Sequence, residues 1–250
     1  MPSSPFIRLG RRGLLATTAA ALVLSASSAA ATTIKGGVPW TPNAGDPPVA
    51  IRPGPWVTFT PEEAVAVEAL VDRLIPPDPK TPGGKDIGCA VFIDRQLAGP
   101  YGSSQGLYMR PPFVDAPKWQ GDQSPLTPAE RYHQGLAALD AYCRATYVSK
   151  TFAQLPDALK DKVIAGLEKG SLRLDGANGQ AFFEQILKNT KEGFFADPVY
   201  GGNRDMAAWK MIGFPGARYD QRNWVGRHNE RYPLPPVGIT GRPAWNPHGA

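Results

Sequence analysis

The sequence predicts a mainly α fold: an irregular helical domain with long Pro/Gly-rich ordered loops and extended N- and C-terminal arms. Three observations carry that expectation. Several stretches repeat apolar residues at helical spacing. No run alternates apolar and polar residues long enough to make a sheet. The 250 residues include 27 prolines, about twice the usual share, which predicts abrupt helix ends and irregular connections. A hydrophobic content of 42% and a charged content of 20% describe a soluble globular chain long enough for a real core.

Residues 1–31 read as an export signal and stand outside the fold. Arg11 and Arg12 form a twin-arginine pair, followed by a mildly apolar run to Leu24 that is too short to span a bilayer. Ala29-Ala30-Ala31 offers a small-residue cleavage site. An ordinary secretory signal and an uncleaved anchor are the alternatives. Twin-arginine export delivers an already folded protein to the periplasm. Removing Arg8, Arg11 and Arg12 takes Lys plus Arg from 27 to 24, against 22 Asp plus Glu. The mature chain is then nearly neutral and has no basic block, which gives nucleic-acid binding no support.

Residues 32–58 form a Pro-rich arm without periodicity, in which Trp40 and Trp56 stand isolated. The arm reads either as a flexible spacer or as an extended strand whose tryptophans dock on a partner. A helical domain follows over 59–216. Its first helix, 61–75, opens with Thr60 as N-cap, Pro61 at the first position and Glu63 closing a capping box. Val67, Leu70, Val71, Leu74 and Ile75 make its apolar stripe. Thr127-Pro128-Ala129-Glu130 repeats this start for a helix reaching about Tyr147, with Tyr132, Leu136, Leu139, Cys143 and Tyr147 facing inward. Cys89, Phe92, Ile93 and Leu97 line a shorter helix between them.

The connection 98–124 is long and rich in Pro and Gly, and carries Tyr101, Tyr108, Phe113 and Trp119. Residues 156–169 place Leu159, Val163, Ile164 and Leu167 on one face, with Gly170 as the stop. Residues 171–175 read as a short extended piece. Asn178 or Gly179 starts the next helix, whose face is Phe182, Phe183, Ile186, Leu187, Thr190 and Phe194. That helix ends at Phe195-Ala196, turns through Asp197-Pro198 and crosses Tyr200-Gly201-Gly202. A last helix, capped by Asn203, is expected to run through Met206 and Trp209 to Gly213. The result is a corner filled with rings. Residues 217–250 form an extended C-terminal arm dense in Arg, Tyr and Trp. It either folds back on its own helices or meets a partner, as these residue types do at interface hot spots.

Motifs for resident chemistry are missing. There is no Gly-x-Gly-x-x-Gly, and no strand precedes Gly201-Gly202, so a flavin or nicotinamide pyrophosphate has no phosphate turn. There is no Cys-x-x-Cys-His for haem, and two cysteines are too few for an iron–sulfur cluster. Cys89 and Cys143 are open to three readings: buried core thiols, a disulfide with each other, or a bond to a partner. His133, His228 and His248 lie too far apart for a metal pair and read as surface residues. No serine elbow is present. The expectation is a chain with no catalytic, cofactor-binding or metal-binding residue of its own.

The run DPVYGGNRDMAAWKMIGFPG, residues 197–216, resembles the signature of the gluconate 2-dehydrogenase subunit 3 family. Weaker similarity covers 58–102, 124–147 and the tail RHNERYPLPP, whereas GRPAWNPHGA at the end departs from the pattern. The resemblance implies the small, cofactor-free subunit of an exported sugar or polyol dehydrogenase. In that family an FAD-dependent large subunit is the catalyst and a multihaem cytochrome c subunit takes the electrons; the complex is attached to the inner membrane through the partner subunits. The small subunit carries the twin-arginine signal, helps the flavoprotein mature and takes it across the membrane. On this reading Trp40, Trp56, Tyr200, Arg204, Trp209, Arg218, Tyr219 and Trp224 form the partner interface. Two rivals remain. One is an independent periplasmic enzyme using Asp197, Asn203, Arg204 or His228. The other is a carbohydrate-binding protein using its tryptophans.

Overall fold

The computed structural model describes residues 54–114, 119, 124–218 and 221–239. The residues read as an export signal, Trp40, most of residues 32–58, Tyr219 and residues 240–250 lie outside these. Among the described residues the architecture is helical: α1 (Pro61–Leu74), α2 (Cys89–Leu97), α3 (Pro128–Thr146), α4 (Asp157–Glu168), α5 (Gly179–Phe195) and α6 (Ala207–Ile212), joined by short 3₁₀ turns. No strand forms among them. Pairing is limited to two isolated bridges, Leu174 with Ala177 and Gly216 with Val237.

Local chemistry sets the helix starts. Thr60 accepts the Glu63 backbone N–H while the Glu63 carboxylate takes the Thr60 N–H, and Thr127 and Glu130 do the same for α3. The second oxygen of Glu63 lies 2.7 Å from His133 Nδ1, so the cap of α1 also reaches across to α3. Asn178 caps α5 by accepting from Ala181 N–H. Gly170, at φ +63°, follows α4 as its stop.

α5 is the central element, touching α1, α2, α3, α4 and α6. Phe182 and Ile186 are essentially fully buried, each contributing about 2 kcal/mol by removal from water. Phe182 meets Tyr132 edge-on at 5.9 Å, and Tyr132 packs on Phe59 at 5.8 Å. The close approach of α3 depends on Gly135. A Cβ there would sit 2.4 Å from the Phe182 ring. The inward face of α5 also carries polar groups that the apolar stripe does not announce. Asn189 is 1% exposed and accepts hydroxyl hydrogen bonds from Tyr101 and Tyr132, both at 3.1 Å.

The entry into the core is held by a single carboxylate. Asp94 on α2 is fully buried. It accepts backbone N–H groups from Val57, Thr58 and Phe59 at 2.9–3.2 Å and pairs with Arg95. Arg95 in turn donates to the Pro55 carbonyl. Asp94 thus fixes where the polypeptide leading out of the Pro-rich arm joins the helical body.

Both cysteines are buried and free, so the disulfide considered for them is not formed. Cys89, at the start of α2, points its thiol at the Thr190 carbonyl of α5, 3.5 Å away. Burial pushes that thiol up to about 12 and the Cys143 thiol up to about 11.

Candidate functional site

The corner after α5 is built from side chains that serve the backbone. Asp197 accepts the Val199 N–H at 3.0 Å and opens a 3₁₀ turn over Pro198–Tyr200. Gly201 follows in the left-handed region at φ +93°. Gly202 lies so close to α5 that a Cβ would sit 2.1 Å from the Gly193 carbonyl oxygen. The backbone N–H of Arg204 then reaches the Ile87 carbonyl at 3.0 Å, tying the corner to the approach of α2.

Asn203 does not cap a helix as expected. It sits in the left-handed region at φ +45°, and Asp205 and Met206 follow at φ +57° and +55°. α6 consequently begins only at Ala207. The buried Asn203 side chain staples the corner: its amide donates to the Ala196 carbonyl at 2.8 Å and its oxygen accepts from Ala208 N–H at 2.9 Å. Asparagine tolerates this backbone better than most residues. Trp209 completes the closure by donating its indole N–H to the Phe195 carbonyl at 2.8 Å. α6 ends at Gly213, φ +73°.

The rings divide between inside and outside. Phe194 and Trp209 are buried, whereas Phe195, Tyr200 and Phe214 remain 42–45% exposed. Met211 and Ile212 on α6 are also exposed. The C-terminal segment crosses back over this corner. Gly216 bridges Val237, Ala217 N–H reaches the Val237 carbonyl at 2.7 Å, and Ile239 N–H reaches the Asp197 carboxylate at 2.6 Å. Asp197 therefore holds its own turn and the returning tail together.

Within the tail the aromatic and guanidinium groups stack on one another. Arg218 lies over Tyr232 at 5.4 Å, Tyr232 packs on Trp224 at 4.9 Å, and Arg227 lies over Trp224 at 4.8 Å. Arg218 also donates to the Pro235 carbonyl at 2.5 Å. Arg218, Trp224 and Tyr232 are thus half-covered by the chain itself, while Arg227 stays exposed.

The residues expected at a partner interface fall into distinct places. Trp40 and Tyr219, like Arg11 and Arg12, lie outside the described residues. Trp56 is half-buried against the core, its ring 6.5 Å from Phe59. Trp209 is only 6% exposed and is chiefly structural. Tyr200 and Arg204 face outward, and Arg218 and Trp224 are half-buried in the tail stack. Of the residues considered for an independent enzyme, Asp197 and Asn203 are engaged with backbone groups, and His228 stands exposed.

The donor set does not fit FAD, haem or a metal. Gly201-Gly202 follows a 3₁₀ turn rather than a strand, so no phosphate-binding turn forms there. The two thiols sit on separate helices, buried and protonated. Among the described residues no group of three or more His, Cys, Asp or Glu could hold a metal ion. No helix among them is long and apolar enough to cross a membrane.

The family model described as Gluconate 2-dehydrogenase subunit 3 matches residues 61–216, from the first helical residue of α1 to the glycine that pairs with the tail. No curated protein and no solved structure matches the chain. The match spans more than half of the sequence: the chain belongs to the gluconate 2-dehydrogenase subunit 3 family.

Proposed function

We propose that this member of the subunit 3 family is the non-catalytic small subunit and export escort of an FAD-dependent sugar or alcohol dehydrogenase. The family match, running unbroken through the corner at 197–216, is the observation that carries the reading. The corner's chemistry supports it: the Asp197 carboxylate and the Asn203 amide there hold backbone N–H and carbonyl groups.

In this account the large subunit binds FAD and turns over the substrate, and a cytochrome subunit carrying haem c receives the electrons. A flavoprotein must fold around FAD in the cytoplasm before it can be moved. The small subunit binds that folded partner and supplies the twin-arginine signal through Arg11 and Arg12. Twin-arginine transport moves folded cargo, so the two cross as one body to the periplasm, where the cytochrome subunit holds the complex at the inner membrane. This chain contributes binding surface; oxidation belongs to its partners.

Fractionation of cells expressing the Arg11→Lys/Arg12→Lys double variant tests the escort role. The expected result is that flavin and dye-reducing activity stay in the cytoplasm, while the wild-type chain brings both to the periplasm. Unchanged export of the flavoprotein by the variant overturns it.

A further inference from the structure

The returning tail leaves a hollow of about 470 Å³ against α6. Its walls are Trp209 and Phe214 on one side and Tyr232 and Leu234 on the other, with Lys210 and Arg231 at the edge. No carboxylate lines it. Lys210 and Arg231 are both exposed, and neither has an ion pair among the described residues. Phe214 and Leu234 keep 45% and 49% of their surface exposed, although both line the hollow.

This hollow is held open by fixed parts. Tyr232 lies beneath the Arg218 guanidinium and against Trp224. Pro235 is held by Arg218, and Val237 and Ile239 are tied to the segment after α6 and to Asp197. The prolines at 233, 235 and 236 stiffen the strap further. Trp209 is locked by its bond to the Phe195 carbonyl and meets Phe214 edge-on at 5.1 Å. A preformed slot of mixed apolar and polar lining loses little entropy when it is filled. Two cations at its edge give it a sign.

We infer that this hollow receives an extended segment of the large flavoprotein subunit, one that brings an apolar side chain between Phe214 and Leu234 and carboxylates toward Lys210 and Arg231. The charge complementarity selects the occupant. A neutral sugar would leave both cations unused, and a second copy presenting this same face would set like charges against each other. The inference rests on the small-subunit reading and names the surface through which that subunit holds its partner.

The test uses the complex assembled by co-expression with the large subunit, diluted and followed by mass photometry at low and moderate salt. Three forms of the small subunit are compared: wild type, Lys210→Glu/Arg231→Glu, and Lys169→Glu at the far end of α4. The expected result is at least a tenfold weaker dissociation constant for the double variant, with much of the salt dependence lost. Lys169→Glu should match wild type, and thermal melting of each isolated chain should coincide. A double variant that holds its partner as wild type does overturns the hollow while leaving the subunit reading standing. A wild-type chain that assembles with no flavoprotein overturns both.

Discussion

At Asp94 one carboxylate gathers three backbone N–H groups that lie outside its own helix. It takes three successive N–H groups from residues 57–59, and the Thr58 hydroxyl donates to the carbonyl of the same residue. Asp94→Asn removes the charge and turns an amide N–H₂ toward N–H donors. The expected cost is about 3 kcal/mol, read as a lower urea midpoint with an unchanged slope. The two thiols make a second prediction at this scale. Since the folded Cys89 thiol is held at about 12 against an ordinary value of 9.0, the unfolded chain releases its proton first as the pH rises. This contribution to stability is complete below pH 9 and is lost progressively toward pH 12. In the folded protein at pH 8, both cysteines should resist maleimide and react only after denaturation. Rapid labelling of either one under native conditions would contradict their placement.

Among the elements, the corner between α5 and α6 bears the tightest constraint. Gly202 and Gly213 are both glycines of the matched family segment, yet the chain needs them for different reasons. Gly202→Ala drives a Cβ into the Gly193 carbonyl, backbone against backbone. Gly213→Ala meets nothing within 4 Å and costs only the left-handed conformation. The first should cost about 3 kcal/mol or more and open the corner; the second should cost about 1 kcal/mol. Equal thermal shifts would show that the close approach at Gly202 is not what holds α5 to the corner. The same elements show how far the sequence can be read. The capping boxes at Thr60 and Thr127 were legible because cap, proline and glutamate lie within four residues. The stripe of α5 was legible because it repeats at helical spacing. Asn203 was not. Its neighbours suggest an N-cap, but its hydrogen bonds go to Ala196 and Ala208, which only the folded corner brings together. Asp94 and Asn189 were hidden for the same reason. Their partners come from residues 57–59 and from Tyr101 and Tyr132, remote in sequence.

For the whole molecule, surface allocation is the informative feature. Among the described residues, the tail rings Trp224 and Tyr232 lie against the chain's own guanidinium groups, and Trp56 and Trp209 serve its own packing. Among the described residues, what it leaves outside includes a group around α6 (Tyr200, Met211, Ile212, Phe214 and Leu234) and a second group in the connection before α3 (Leu107, Tyr108, Phe113, Val114 and Trp119). Exposed apolar surface of that extent is the usual mark of a partner. Trp56 and Trp209 pack on the chain's own core and backbone, a use that composition cannot tell from docking on a partner. The family assignment and the corner's geometry together make the small-subunit account the central claim. Its most direct test is affinity purification of the tagged chain from its native cells under gentle conditions, followed by an absorption spectrum of the eluate. The account predicts a co-eluting large polypeptide with a flavin spectrum and sugar-dependent dye reduction. A colourless eluate containing the chain alone would contradict it.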